Sequence, residues 1–374
     1  MQQAVVKRRL MSLDALRGFD MFWILGGEAI FAALVTLTGW KGWLWFDGQM
    51  QHSEWNGFTF YDLIFPLFIF LSGVALGLSP KRLDQEPFIK RKPIYQHALK
   101  RLFLLIILGI IYNHGWGSGI PMQWDEIRYA SVLGRIGLAW FFAAMIVWHC
   151  SLRWQLISTL MIVVGYALIS LYFPVPEYGA GQLNAAQSVN AYIDQLLLPG
   201  ISYQNRPLDP EGVLSTLPAI ANALMGAIIG RLLTQSMSSE WHKVVLITGI
   251  GIILLLVGWL VDFNIPVNKA LWSSSFIFVS VGWSCILLAI FYALVDLLNW
   301  HKLSFIFVVI GTNAIVIYLG TSLINWNYSA SSIFGGLIAA LPLSGQQLGA
   351  VISVLLVQWL LLFWLYRNKL FIKI

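Results

Sequence analysis

Apolar runs of about twenty residues recur along the whole chain, each long enough to cross roughly 30 Å of hydrocarbon as a helix. In hydrocarbon no water can satisfy a backbone amide, so every N–H and C=O must be bonded within the segment. The fold class that follows is all-α, a polytopic integral membrane helical bundle. Runs fall near 16–38, 58–79, 98–113, 129–149, 154–173, 213–234, 244–262, 273–296, 304–324 and 348–367, which makes about ten transmembrane helices. The Gly-rich piece 333–343 is too short to span and is read as re-entrant or interfacial. Of 374 residues, 58% are hydrophobic and 11% charged, too few charges to cover the surface of a soluble domain of this size.

Basic residues set the expected orientation. With the N-terminus inside, the cytoplasmic side receives Lys7, Arg8, Arg9, Arg17, the cluster Lys81, Arg82, Lys90, Arg91, Lys92, Lys100 and Arg101, and also Arg153, Arg231, Lys243, Lys302, Arg367, Lys369 and Lys373. That is 18 of the 23 Lys and Arg, as the positive-inside rule requires. Lys41, Arg128, Arg206 and Lys269 fall outside and Arg135 within a span. An even number of spans keeps both termini cytoplasmic. The net charge of +6 therefore reflects topology and calls for no nucleic-acid partner. The tryptophans cluster at helix ends, where amphipathic rings favour the interface.

Nothing splits the chain, so 1–374 reads as a single membrane domain. Its first run carries Glu28 and lacks a small-residue cleavage site, which marks a retained helix and not a cleaved signal peptide. Cys150 and Cys285 offer neither a disulfide framework nor metal spacing. The basic segment 79–101 reads as a short cytoplasmic loop suited to anionic lipid. The largest external excursion, 173–212, is long enough to be functional, with a short surface helix expected at 191–198. No internal repeat is evident, which weakens a transporter built on inverted repeats.

Chemistry concentrates around His52, in a polar, aromatic-rich stretch between two apolar runs. An imidazole moves protons near neutral pH, although a lone loop histidine is more often simply solvated. Three charges inside the bilayer need a reason: Glu28 in the first span, Asp62 early in the second and Arg135 in the fourth. One reading pairs Glu28 or Asp62 with Arg135 to lock helices together. The other makes them a polar shaft with His52 near its outer mouth. Gly26-Gly27 and Gly115-x-Gly117-x-Gly119 lack the strand–turn–helix setting of a nucleotide fingerprint and read as packing or loop glycines. His97, His149, His242 and His301 belong to the inner side, and only His114 shares the side of His52, as a minor candidate for substrate contact. No histidine pair has metal-ligand spacing, so no metal is expected.

Five ordered blocks then carry a resemblance over essentially the whole chain. They are Arg9-Leu10-x-Ser12-x-Asp14-x-x-Arg17-Gly18; His52-x-x-Trp55-Asn56-Gly57-x-Thr59-x-x-Asp62-Leu63-x-Phe65-Pro66-x-Phe68-x-Phe70; Trp124-Asp125-x-Ile127-Arg128 with Val132-Leu133-x-Arg135; Asp209-Pro210-Glu211-Gly212; and Pro266-Val267-Asn268-Lys269-x-Leu271-Trp272-Ser273. Together they resemble the heparan-α-glucosaminide N-acetyltransferase family and its bacterial relatives in the transmembrane acyltransferase superfamily. Two departures adjoin the expected acceptor site: Glu28 stands where animal sequences tend to carry asparagine, and the segment 29–51 is longer. The luminal extension and extra first helix of the animal enzyme have no counterpart here, in keeping with a ten-span bacterial form in the inner membrane.

The resemblance implies transfer of an acetyl group from cytoplasmic acetyl-CoA to the amine of a glucosamine-like sugar on the other face. It makes His52 the catalytic residue, as base or nucleophile, with Asp62 orienting or polarising it. Glu28 adjoins the acceptor. Asn56 and Asn268 become candidate donors to sugar hydroxyls or the thioester oxygen, and Lys269 and Arg135 candidate contacts for CoA phosphates or the oxyanion. The implied partners are acetyl-CoA, the amino-sugar acceptor and the lipid bilayer; a homodimer stays open as the assembly. Rival readings are an O-acetyltransferase of envelope polysaccharide and a non-enzymatic sugar or anion transporter.

Overall fold

A computed structural model describes residues 10–79, 81–115, 117 and 123–372. Lys7, Arg8, Arg9, Gly119 and Lys373 lie outside the described residues. The described residues form fifteen α-helices: α1 Met11–Phe22, α2 Ala29–Thr38, α3 Trp43–Gln49, α4 Phe60–Gly77, α5 Phe88–His114, α6 Val132–His149, α7 Leu152–Tyr172, α8 Val189–Leu197, α9 Val213–Thr234, α10 Glu240–Asp262, α11 Ser274–Phe291, α12 His301–Thr312, α13 Ala314–Leu323, α14 Trp326–Ala339 and α15 Leu343–Arg367. Among the described residues extended pairing is limited to two isolated bridges, Arg128 with Gly200 and Val175 with Gly179.

Among the described residues eight helices are long and apolar enough to cross a membrane, and two bent pairs bring the total to ten if each pair is one crossing. The first pair, α1 and α2, bends by 55° through a π turn at Trp23–Gly27, where Gly26 takes a φ of 117° open only to glycine at low cost. The second, α12 and α13, bends by 64° at Asn313. The Asn313 side chain ties this bend to the segment after α15: its Nδ2 donates to Leu370 O at 3.1 Å, and its Oδ1 accepts from Ile372 N at 3.1 Å.

One expectation changes. The segment 79–101 is not a loop throughout, because α5 begins at Phe88 and runs for 27 residues. That is about 40 Å of helix, longer than the roughly 30 Å hydrocarbon layer, so Lys90, Arg91 and Lys92 ride on a helical extension beyond it. The Gly-rich piece 333–343 forms the end of the 14-residue α14 and the turn after it, below the length of a crossing. The helix expected at 191–198 is α8, and it is not merely superficial: its Asp194 is buried.

The centre of the bundle is the contact between α4 and α9. With no hydrophobic force to drive helices together in lipid, small residues that let backbones approach do much of the work. Gly73 and Gly77 on α4 face Gly226 and Gly230 on α9 so closely that a Cβ on Gly73 would sit 1.9 Å from Ala223 O, and one on Gly226 2.1 Å from Phe70 O. Around this seam Ile69, Phe70, Leu71 and Val74 of α4 are wholly buried, as are Ala223 and Leu224 of α9. The same device joins α1 to α12 through Gly18 and Gly311.

Candidate active site

The site begins with the way α4 starts. Thr59 is its N-cap, and the Asp62 carboxylate three residues on completes a capping box. Asp62 Oδ2 accepts from Thr59 N at 3.2 Å, Thr59 Oγ1 at 3.1 Å and Ser53 N at 3.2 Å. Its other oxygen, Oδ1, lies 2.8 Å from His52 Nδ1. The carboxylate is 1% exposed and the imidazole 54%, so a buried acid orients an accessible ring. In the tautomer that donates Nδ1–H to Asp62, Nε2 is the ring's remaining acceptor. Tyr61 flanks the ring, with centroids 4.9 Å apart.

A second loop closes over the first. Gly57 N donates to Val267 O at 2.8 Å, and Asn268 Nδ2 donates to Trp55 O at 2.9 Å and to Asn56 Oδ1 at 3.2 Å. Asn268 Oδ1 accepts from Leu271 N at 2.8 Å, so this buried amide fastens two loops together. The fastening puts Lys269 Nζ 3.1 Å from His52 Nδ1, 3.4 Å from Nε2 and 3.6 Å from Asp62 Oδ1. Burial lowers the Lys269 ammonium below the usual lysine range, against the opposing pull of Asp62.

A cavity of about 540 Å³ opens from this point into the bundle. His52, Tyr61, Tyr112, Glu211 and Lys269 line one end. Along α4 its wall runs through Ile64, Phe65, Phe68, Ser72 and Ala75. Fourteen residues from Tyr61 to Ala75 correspond to about 21 Å of helix rise. Asp14 and Arg17 on α1 and Arg101 on α5 line the far end, with the Arg101 guanidinium 3.9 Å from the centroid of Trp140. The α12–α13 break also faces the cavity through Thr312, Ala314 and Ile315, which suits the rule that irregular backbone at membrane depth lines a cavity or is buried in protein.

The charges are paired differently from the sequence expectation. Arg135 meets neither Glu28 nor Asp62. It is 1% exposed and donates to Ser215 Oγ and to Gly212 O, and its guanidinium lies 4.8 Å from the centroid of Trp272. Asp62 pairs instead with His52 and Lys269. Glu28 sits at the α1–α2 bend, half-buried, with Oε2 unbonded, and neither it nor Arg135 lines the main cavity. Arg135 is within reach of the α9 N-terminus, where Gly212 and Ser215 accept from it. Because Glu28 and Arg135 share no partner, Glu28→Leu and Arg135→Leu should destabilise additively in detergent melts. Recovery of stability in the double variant would restore the pair.

Sequence reasoning did not single out Arg128. It forms a bidentate pair with Asp209, Nε to Oδ2 at 2.8 Å and Nη2 to Oδ1 at 2.6 Å, and also bonds Glu211. Burial opposes the guanidinium's charge, but the two carboxylates outweigh it and raise its pKa above the ordinary arginine value. Burial opposes the Asp209 charge too, yet Arg128 holds the carboxyl below its usual range. Asp194 on α8 accepts from Asp209 N at 3.1 Å and Val213 N at 2.9 Å, and burial pushes its carboxyl up to about 6. Tyr61, Tyr112, Tyr318, Arg17, Arg101 and Glu211 are further lining residues with no assigned part in the sequence reading. Arg17 and Glu211 stand inside quoted motifs, and Arg101 in the basic cluster. The tyrosines carry no signal, since an aromatic in an apolar run reads as core. His114 does not line the cavity.

Fold and site together define a polytopic helical membrane protein with a His–Asp pair at one end of a cavity that reaches arginines near the other face. The chain is 29% identical to heparan-alpha-glucosaminide N-acetyltransferase of Mus musculus over 367 aligned residues, which cover 83% of this chain and 54% of the mouse protein. It is likewise 29% identical to the Homo sapiens protein of the same name, covering 83% of this chain and 52% of the human one. It spans about half the length of these curated relatives. No family model matches the chain. Over most of its length the chain is thus similar to heparan-alpha-glucosaminide N-acetyltransferases of two mammals, the similarity its ordered motifs anticipate.

Proposed function

We propose that the protein is a membrane N-acetyltransferase that carries the acetyl group of acetyl-CoA across the bilayer to a glucosamine-like amine. The observation that carries this reading is the cavity itself, lined by an accessible, acid-oriented imidazole, by about 21 Å of α4 from Tyr61 to Ala75, and by Arg17 and Arg101. A pantetheine arm is a long, thin, largely uncharged chain, and the apolar middle of the cavity suits it. Arg17 and Arg101, which line the cavity, are the candidates for CoA phosphates, in place of Lys269 and Arg135.

At the other end His52 Nε2 takes a proton as the acceptor nitrogen attacks the thioester carbonyl. The C–N bond forms, the C–S bond breaks, and the imidazolium returns its proton to the departing thiolate, which leaves as CoA. Lys269 faces the same point and supplies positive charge to the oxyanion. Acetylation of His52 itself, followed by transfer to the amine, is the two-step variant of the same chemistry. The bias of basic residues supports a topology with the His52 end on the outer, periplasmic face of a bacterial inner membrane. Asn268, spent on loop fastening, positions Lys269; Asn56 assists it.

The deciding assay supplies purified protein with radiolabelled acetyl-CoA and a panel of amino sugars and neutral sugars, with uptake into liposomes followed in parallel. N-acetylated product without net uptake is the expected result. Acetylation confined to hydroxyls would select the O-acetyltransferase reading, and uptake without acetylation a transporter. For topology, a cysteine at Ser53 should react with an impermeant thiol reagent added outside intact cells, and one at Gln85 should not. Labelling at Gln85 alone would invert the orientation.

A further inference from the structure

Four carboxylates and three cations gather behind the His52 end of the cavity. Asp62 is matched by Lys269, and Asp209 by the bidentate fork of Arg128. Arg135 lies within electrostatic reach of Glu211, Asp209 and Asp194. Four negative groups against three positive leave one charge over. Of the four carboxylates, Asp62, Asp194 and Asp209 are at most 3% exposed and none of them lines the cavity. Glu211 does. Arg128 takes its Oε2, while Oε1 makes no hydrogen bond among the described residues. The side chain is also rigidly carried: Glu211 N donates to Asp209 Oδ1 at 2.9 Å, immediately ahead of α9.

Around it the walls are aromatic. Tyr112 and Tyr318 stack with centroids 4.2 Å apart and line the cavity together with Tyr61 and His52. A carboxylate with one oxygen free of hydrogen bonds, set among aromatic rings, is an environment in which an organic ammonium is held in preference to a neutral group. Glucose and glucosamine differ by one such group.

We propose that Glu211 is the anchor for the acceptor's ammonium, and that the Tyr61, Tyr112 and Tyr318 chamber around it selects a cationic amino sugar over its neutral counterpart. This rests on the acetyl-transfer reading for its place in a reaction, but the site is a binding site in its own right. The anchored ammonium loses one proton to solvent before attack, and the resulting amine loses its second to His52 Nε2 as the C–N bond forms.

The test measures binding of glucosamine, N-acetylglucosamine and glucose to the full chain in detergent, with no acetyl donor present. Wild-type protein should bind glucosamine about tenfold or more tighter than the two neutral sugars, the size of a charge-assisted hydrogen bond. Glu211→Gln should erase that preference while acetyl-CoA binding changes less than about twofold, and Glu211→Asp should fall between the two. Carbodiimide modification of Glu211 in the wild-type protein, mapped by mass spectrometry, should be slowed by glucosamine and unaffected by glucose. This arm needs no variant to fold. Equal affinity for glucosamine and glucose, or an unchanged preference in Glu211→Gln, would overturn the proposal. Acetyl transfer is read in none of these arms. A Glu211-dependent preference without transfer would keep the ammonium site and remove the enzyme reading, and transfer without the preference would do the reverse.

Discussion

Turnover of acetyl-CoA by His52→Ala should fall by about 10²–10⁴-fold, the usual contribution of a positioned general base, with acetyl-CoA binding nearly intact. The expectation is sharp because His52 is the exposed member of its pair and makes its one close carboxylate contact through Nδ1. Removing the ring leaves the capping bonds of Asp62 to Ser53 and Thr59 in place, so the fold should tolerate it. Asp62→Asn probes the same unit from behind. The amide oxygen can keep the Thr59 and Ser53 bonds, but its NH2 group would then face Nδ1 and donate to it. That moves the ring proton to Nε2, the atom that has to accept one. Activity should drop sharply while the melting temperature changes little. Full-rate turnover in His52→Ala would remove the residue from the mechanism, whatever the other variants did.

The other large effect is structural. Gly226→Leu should prevent recovery of monodisperse folded protein, or lower its melting temperature by many degrees. Overpacking a tight interior typically costs about 1–3 kcal/mol when a flexible side chain can yield. Here the obstacle is the Phe70 carbonyl, 2.1 Å from where the first added carbon would sit, and Gly73 makes the reciprocal approach to Ala223. Backbone cannot rotate away, so α4 and α9 would have to separate. The control is Gly335→Leu on α14, where an added Cβ meets nothing within 4 Å. If the two variants behaved alike in size-exclusion and melting assays, the close α4–α9 approach would not be a determinant of the fold.

Much of the architecture was open to reading because lipid imposes a length on every crossing. All ten apolar runs correspond to helices or bent pairs, and the short Gly-rich piece ends as a helix below spanning length. The start of α5 was misread because basic side chains mark where a helix leaves the hydrocarbon and not where it stops being a helix. His52 and Asp62 were legible as a pair through the motif block they share; the capping box that ties the aspartate to the histidine's loop is visible only in the structure. Lys269 was legible only as part of a block; its place beside His52 depends on the Asn268 fastening, a contact across 213 positions from Trp55 that no local pattern encodes. The pairing of Arg135 was illegible for the converse reason. A buried charge announces that it has a partner, but a serine hydroxyl, a carbonyl and an indole face leave no mark in the sequence.

Asp62 has one consequence that reaches past orientation. A helix end is the part of a helix that opens first, on a free-energy scale far below that of global unfolding. The carboxylate that terminates α4 is the same group that aims His52, so a transient fraying of that first turn disarms the imidazole without disturbing the bundle. Amide exchange at Thr59 and Asp62 should therefore track the fraction of molecules able to react, and anything that tightens this single turn, including a bound substrate, switches the protein toward its competent population.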